Sequence, residues 1–269
     1  MKNEFKGNPL IEIPKNIPSY NFLTGDFGKE VLEEYNSVVM QNYKGNSKLK
    51  ALSFSDNVVK GSNTYSIFLM NKILEKVGLR TANLSDIQKI IDKSETFLKG
   101  FYVDLGVILR TKDAPNSYLA NQLGKEAEEK NYSFSNEFPL VFKPSDLELI
   151  VDEYSSSGLG FKIKELGRPF NVSEFNNQND NKSFKNTSNS GIPIFHKEGN
   201  RTLYTRDDGL SRVYLYGDGD LNVRDGDLEG SDDNGRVVVI SDAEGCRTEK
   251  FNSITRFLIN EELNSVFNE

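Results

Sequence analysis

The stretch FYVDLGVILR, residues 101–110, is the part of the sequence that decides the fold class. Its apolar residues alternate, as expected for one face of a strand: Val103, Leu105, Val107 and Leu109. Tyr102 and Ile108 fall on the opposite face, and apolar residues on both faces indicate a strand that is covered on both sides. We therefore expect this stretch to be a central strand of a sheet.

The segments before and after this strand have apolar residues at helical spacing, whereas predicted strands dominate after about residue 135. Apolar residues recur at three and four positions, which predicts helices over residues 27–43, 64–77 and 117–130. A further helix is expected to start at Ser85, because Gln88 follows at the spacing of a capping box. Short apolar or alternating stretches predict the later strands: FPLVF, LELIVDEY, LGFKIKEL, RTLYT, LSRVYLY, DLNVR and GRVVVIS.

These elements predict an α+β fold, in which an N-terminal α/β unit packs on a mostly antiparallel β-sheet. An amphipathic helix over residues 249–267 is expected to close the chain. Residues 1–135 form a helix-rich α/β region and residues 136–269 a β-rich region, as two units or one continuous domain. Residues 171–191 contain seven Asn and four Ser, a composition that predicts a mobile Asn-rich surface loop.

The residue types present exclude several classes of chemistry. The 269 residues include one cysteine, Cys246, and one histidine, His196. An internal disulfide, a cysteine-based zinc site and any mechanism that needs two histidines are therefore excluded. The N-terminus carries no apolar leader, and no apolar run is long enough to cross a membrane. These features predict a soluble, cytoplasmic protein without a membrane partner.

The net charge of −7 is concentrated in one segment. Residues 207–233 contain nine acidic residues and two arginines, so the remainder of the chain is close to neutral. Nucleic-acid binding requires a broad basic surface, which this charge distribution does not provide. A nucleic-acid partner is therefore not expected.

The acidic turns, residues 217–236, are one candidate site. Six aspartates could converge at one end of a sheet and bind Ca²⁺ or Mg²⁺, which prefer oxygen ligands: Asp218, Asp220, Asp225, Asp227, Asp232 and Asp233. An EF-hand is excluded, because Val223 occupies the position that needs glycine in that loop. The alternative is a series of tight hairpin turns, since Asp-Gly and Asn-Gly pairs favour such turns.

A second candidate site precedes the helix at Thr64. Backbone N–H groups at a helix start attract anions, and Lys60, Gly61 and Ser62 would add charge and flexibility there. The segment lacks the glycine and lysine spacing of a phosphate-binding loop. The alternative is an ordinary helix cap made by Asn63 or Ser62.

Three segments resemble a family of uncharacterised proteins from small-genome archaea. They are GLRTANLSDIQKI, FYVDLGVILRTKDAPNSYLA, and RTLYTRDDGLSRVYLY together with DNGRVVVIS. The resemblance covers roughly residues 65–245. The family has no assigned activity, so the resemblance implies no catalytic residue. It implies that GLSR and GRVVV belong to the framework and that the acidic turns vary.

No catalytic constellation emerges from these patterns. The sequence therefore favours a non-enzymatic binding or accessory protein whose partner is a protein or a small ligand. One alternative is a divalent-cation-dependent protein, such as a hydrolase, that uses the aspartates of residues 218–233. The other is an anion or nucleotide binder at residues 60–64.

Overall fold

The structure is a computed structural model that describes residues 4–5, 8–9, 19–94 and 96–241. Its helices are α1 (Gly25–Asn42), α2 (Thr64–Glu75), α3 (Leu84–Ile91) and α4 (Ser117–Glu129), with short 3-10 helices at Ser47–Leu49, Ser173–Phe175 and Asn177–Asn179. The first strands are β1 (Glu4–Phe5), β2 (Asn8–Pro9), β3 (Ser19–Phe22), β4 (Ser53–Ser55), β5 (Val58–Lys60), β6 (Arg80–Thr81), β7 (Tyr102–Leu109), β8 (Leu140–Phe142) and β9 (Leu147–Val151). The later strands are β10 (Leu159–Ile163), β11 (Phe170–Asn171), β12 (Lys182–Thr187), β13 (Pro193–Phe195), β14 (Arg201–Tyr204), β15 (Leu210–Tyr216), β16 (Leu221–Asn222) and β17 (Val238–Ser241).

An eight-stranded sheet forms the centre of the fold, in the order β11-β8-β7-β15-β16-β14-β12-β13. Its neighbouring strands are antiparallel, except that β14 and β16 are parallel. A second sheet has the order β3-β17-β6, and β1–β2, β4–β5 and β9–β10 form two-stranded pairs. The fold is therefore α+β, as the sequence predicts. Strands from both sides of residue 135 share the main sheet, because β7 pairs with β8 and with β15.

Two apolar cores meet at β7, and all eight of its residues are buried. The first core contains α1, α2, α4 and the β9–β10 pair, and the second contains α3, β12 and parts of β14 to β17. The prediction of a central strand covered on both sides therefore agrees with the structure. The predicted assignment of residues to the two faces is wrong, however. Val107 and Leu109 belong to the first core, whereas Val103, Leu105 and Ile108 belong to the second.

A bulge at Gly106 causes this change of face. The register with β15 pairs Gly106 with Val213 and Asp104 with Tyr214, which leaves Leu105 as an extra residue. Gly106 has a φ of 145°, and a Cβ there would lie 2.1 Å from the carbonyl oxygen of Phe142. Only glycine fits this position, and the extra residue shifts the alternation along the strand.

The helix starts agree with the sequence at α2 and α4 but not at α3. Asn83, not Ser85, is the N-cap of α3: its Oδ1 accepts from the Asp86 N–H, and Asp86 Oδ2 accepts from the Asn83 N–H. The predicted capping box of Ser85 and Gln88 is therefore wrong. Gln88 is instead buried and faces Arg201. None of the helices in the described ranges has the length and apolar character needed to cross a membrane.

The Asn-rich segment is part of the main sheet, so its prediction as a surface loop is wrong. Residues 182–187 form β12, which pairs with β13 and β14. Phe175 and Phe184 are fully buried and anchor the segment in the second core. Two aromatic side chains therefore outweigh a composition that is otherwise polar. The helix predicted over residues 249–267 lies outside the described residues.

Candidate functional site

The acidic turns hold their own backbone in place with their carboxylates. Asp218 Oδ1 accepts from the Asp220 N–H at 3.1 Å, and Asp225 Oδ1 accepts from the Asp227 N–H at 2.9 Å. Asp232 Oδ1 accepts from the Asn234 N–H at 2.7 Å. Each bond closes a turn between an aspartate and the second residue after it, which is a usual role of aspartate in turns. The turn interpretation therefore accounts for these three aspartates.

Asp220 makes a second bond, outside the acidic turns, and Asp233 takes part through its backbone. Asp220 Oδ1 accepts from the Thr202 N–H at 2.6 Å, and burial raises the pKa of its carboxyl. Asp233 is exposed, and its carbonyl oxygen accepts from Arg236 Nη1 at 2.6 Å. Within the described ranges, no group of three or more Asp, Glu, His or Cys side chains is arranged to hold a metal ion. The predicted Ca²⁺ or Mg²⁺ site therefore has no support from the geometry.

The segment before α2 is an internally bonded helix cap. Asn63 is the N-cap of α2, and it forms a reciprocal capping box with Ser66. The backbone N–H groups of residues 61–64 donate, in order, to Gly235 O, Ser231 Oγ, Ser66 Oγ and Leu228 O. Lys60 pairs with Asp56. An anion at Lys60, Gly61 and Ser62 would have to displace bonds that the chain already makes.

A buried ion pair lies between the central strands and the acidic turns. Arg212 of β15 donates through Nε to Asp104 Oδ1 of β7 at 2.9 Å, and its Nη2 lies 2.7 Å from the same oxygen. Its Nη1 donates to the carbonyl oxygen of Gly230 at 3.1 Å. The guanidinium also lies 4.5 Å from the ring centre of Tyr214. Arg212 therefore links the main sheet to the acidic turns.

The Asp104 carboxyl also interacts with the buried Ser62 side chain. Asp104 Oδ2 and Ser62 Oγ are both buried. Burial raises the pKa of Asp104, although the charge of Arg212 and hydrogen bonding by Ser62 act in the opposite direction. Sequence reasoning missed the ion pair of Asp104 and Arg212, because each charged residue lies within an apolar strand. The available signal was an acidic residue in the strand predicted to be central, residues 101–110, and a basic residue in the predicted strand LSRVYLY.

A second buried arginine has a different environment. Arg110 follows β7 and donates to Ser211 Oγ at 2.8 Å, and to Thr205 Oγ1 and the Val223 carbonyl oxygen at 2.9 Å. These acceptors are uncharged, so burial lowers the pKa of Arg110 to about 9, with a further contribution from the charge of Arg206. Arg110 ties β7, β15 and the residues that follow β14 and β16 together beneath the surface.

A cleft of about 320 Å³ lies beside the acidic turns. Four segments that are distant in sequence form its walls: α2, the first turn of α4, the turn between β9 and β10, and residues 226–229. Its lining residues are Tyr65, Asn116, Ser117, Tyr118, Leu119, Ser155, Ser156, Gly226, Asp227, Leu228 and Glu229. Hydroxyl, amide and carboxylate groups therefore share one depression.

The N-terminus of α4 forms one wall of the cleft. Asn116 precedes the helix with a left-handed φ of 61°, and no side chain caps the helix there. Its Nδ2 instead donates to the carbonyl oxygens of Leu210 and Gly226, both at 2.8 Å. A Cβ on Gly226 would lie 2.7 Å from the Pro115 ring. The side chain of Asn116 thus fixes the acidic turns against α4.

Two carboxylates of the acidic turns also line the cleft. Asp227 Oδ1 accepts from the N–H groups of Glu229 at 3.0 Å and Gly230 at 2.9 Å. Glu229 pairs with Lys48. Burial raises the pKa of Tyr65 to about 12, and the charges of Glu229 and Asp227 add to this effect. Asp227 and Glu229 therefore place negative charge near the Tyr65 hydroxyl in the cleft.

Aromatic side chains lie at the rim. Tyr118 is 36% exposed, and its hydroxyl donates to Asp152 Oδ1 at 3.1 Å. Tyr154, on the turn between β9 and β10, is 88% exposed. No local pattern predicts this cleft, because its walls come from four segments that are distant in the sequence.

A second depression of about 380 Å³ lies at the C-terminal end of α4. Its lining residues all belong to one stretch, residues 128–134, so it is a surface groove along a single segment. The cleft beside the acidic turns differs because distant segments converge there. We therefore regard that cleft as the candidate site.

Comparison of the chain with protein-family models, with curated proteins and with solved structures finds no match. The resemblance to the archaeal family of uncharacterised proteins therefore stays a prediction.

Proposed function

We propose that the chain is a binding protein that takes a small polar ligand in the cleft beside the acidic turns. The observation that carries this proposal is the convergence of four distant segments on one cleft lined by hydroxyl, amide and carboxylate groups. Ligand sites are typically concave and use a few convergent polar groups to orient the ligand. The volume of about 320 Å³ lies at the lower end of the usual range for such sites, about 300–1,000 Å³.

The walls of the cleft are held in place before any ligand arrives. Asn116 bonds to the carbonyl oxygens of Leu210 and Gly226, and Arg212 bonds to that of Gly230. Both anchors connect the acidic turns to buried parts of the main sheet. A prearranged site loses less conformational entropy on binding, which favours affinity.

The polar groups of the cleft favour binding over acid–base chemistry. The two carboxylates, Asp227 and Glu229, already accept hydrogen bonds from backbone N–H groups and from Lys48. Hydrolysis of a glycoside, for example, needs one carboxyl group that donates a proton to the leaving oxygen. Both carboxylates are instead placed as acceptors, which supports recognition of a ligand by its hydrogen-bond donors.

Ligand-observed NMR with a library of small polar compounds tests this proposal. The full chain is screened beside Ser156→Trp, which places an indole in the cleft at an exposed position. Ser190→Trp is the matched control, because Ser190 is also an exposed turn residue but lies outside the cleft. We expect compounds that bind the unaltered chain and Ser190→Trp but not Ser156→Trp. Equal binding to Ser156→Trp, or no binding compound at all, would overturn the proposal.

A further inference from the structure

We propose that the ligand of this cleft is a neutral, hydroxyl-rich molecule with the size of a mono- or disaccharide. This inference rests on the proposed function and specifies the chemistry of its ligand. Three properties of the cleft support it: the mixture of donors and acceptors, the sign of its charge, and its size together with its aromatic rim.

The cleft presents donors and acceptors side by side. The uncapped first turn of α4 supplies backbone N–H donors, and Asp227 and Glu229 supply carboxylate acceptors within the same cleft. The hydroxyl groups of Ser117 and Ser156 can act in both directions. A ligand hydroxyl also donates and accepts, so a polyhydroxylated molecule can form hydrogen bonds with the N–H donors and with the carboxylate acceptors at the same time. A ligand that acts mainly as an acceptor, such as phosphate, or only as a donor, such as an ammonium group, pairs well with only one of these two kinds of group.

The charge of the cleft disfavours anions. None of the described residues that line it is basic, whereas two are acidic. Lys48 lies nearby, but it is paired with Glu229. The positive end of the α4 helix dipole offsets part of the negative charge of Asp227 and Glu229. The cleft therefore combines partial charges of both signs, which suits a neutral polar ligand.

The rim of the cleft suits a sugar ring. Tyr118 lines the cleft with a partly exposed ring, which Asp152 and Gln122 hold through hydrogen bonds to its hydroxyl. The face of an aromatic ring packs against the apolar face of a pyranose ring, while the polar hydroxyl of the tyrosine stays in water. Tyr154, on the turn that carries Ser155 and Ser156 of the cleft, is 88% exposed.

Titration of the full chain, observed through backbone amide NMR shifts, tests the inference. The neutral probes are glucose, galactose, mannitol and lactose, and the charged probes are inorganic phosphate and putrescine. We expect at least one neutral probe to shift the amides of Ser117, Ser156 and Asp227, and neither charged probe to do so. Shifts with phosphate or putrescine alone would overturn the inference and leave the cleft as a binding site.

Matched variants locate the binding. Asp227→Asn keeps the oxygen that closes the turn but replaces one carboxylate acceptor by a donor, so we expect at least about tenfold weaker binding of the neutral probe. Asp233→Asn, in the same turns but outside the cleft, should change the affinity less than twofold. Tyr118→Ala should weaken binding severalfold, whereas Leu166→Ala, an exposed apolar residue elsewhere, should not. Equal effects of Asp227→Asn and Asp233→Asn would overturn the inference.

The two proposals fail in different ways. If library compounds bind in the cleft but none of the neutral probes does, the sugar inference is wrong and the proposed function stands. If neither the library nor any probe binds, both are wrong.

Discussion

Removal of Asp104 should leave Arg212 as a buried charge whose remaining carboxylate partner, Asp225, lies 3.8 Å from its Nη1 and is partly in solvent. Arg212 is 5% exposed and Asp104 is fully buried, so water cannot replace the lost carboxylate. Breaking a buried ion pair by removing one partner costs about 3–5 kcal/mol. Arg212 keeps its bond to the Gly230 carbonyl oxygen, but a neutral acceptor compensates the charge only in part. We therefore expect Asp104→Ala to lower the free energy of unfolding by about 3–5 kcal/mol.

Two further variants separate the charge from the packing. Asp104→Asn keeps an oxygen that accepts from Arg212 Nε and should cost about 1.5–3 kcal/mol, the usual contribution of a charged hydrogen bond. The double variant Asp104→Ala with Arg212→Met removes both charges, and it should be more stable than Asp104→Ala alone. Asp208→Ala is the control for an exposed pair, because Asp208 and Arg206 are partly in solvent; it should cost at most about 1 kcal/mol.

Urea unfolding at neutral pH measures these differences. The slope of the unfolding free energy with denaturant must stay constant across the variants, so that a shifted midpoint reports stability. A cost below about 1 kcal/mol for Asp104→Ala, with an unchanged slope, would refute the reasoning. It would mean that Arg212 is not desolvated, and that the acidic turns are not anchored to the sheet by a buried charge.

Four other outcomes are expected. Gly106→Ala should lower the free energy of unfolding by about 3 kcal/mol or more, because the φ of Gly106 and its contact with the Phe142 carbonyl oxygen both exclude a Cβ. An unchanged thermal midpoint in this variant would contradict the bulge. Phe184→Ala should lower the free energy of unfolding, measured in urea, by about 3–5 kcal/mol, because the side chain is fully buried. The same replacement in an exposed surface loop would change it very little. Burial raises the pKa of Tyr35 far above 10, so the folded state keeps a proton that the unfolded state loses, and the free energy of unfolding should fall as pH rises above 10. In Tyr35→Phe this fall should be shallower by up to about 1.4 kcal/mol per pH unit. An identical slope in the two proteins would count against the burial of the Tyr35 hydroxyl. Millimolar Ca²⁺ or Mg²⁺ should move the thermal midpoint by less than about 1 °C relative to EDTA, and a rise of several degrees that Asp218→Asn abolishes would restore the cation site.

Local patterns could predict those parts of the fold that depend on local interactions. The start of α2 at Thr64 follows from its cap, and the strand at residues 102–109 follows from its apolar content. The bulge at Gly106 could not be predicted, because it depends on the approach of the Phe142 carbonyl from another strand. The strand within the Asn-rich segment was missed for a similar reason, since its stability comes from the burial of Phe184 in a core built by distant residues.

The candidate site was predicted only in part. Asp227 was named as a metal ligand, and the structure instead places it in the wall of a cleft, with its Oδ1 bonded to the backbone of its own turn. Asn116 carried no signal as a site residue, because its role depends on bonds to residues about one hundred positions further along the chain. Tyr118 carried none either, because its hydroxyl bonds to Asp152 on another segment. Sites formed by convergence of distant segments leave little trace in local spacing.

The position of β17 has a consequence for the order in which the protein can fold during synthesis. β17 is the middle strand of the small sheet, and β3 and β6 bond to it and not to each other. It is also the last described strand to leave the ribosome. β3 and β6 therefore have no partner strand in this sheet until almost all of the described chain has been synthesised. We expect the nascent chain to acquire its final stability late and in one step, and to need protection from association until then.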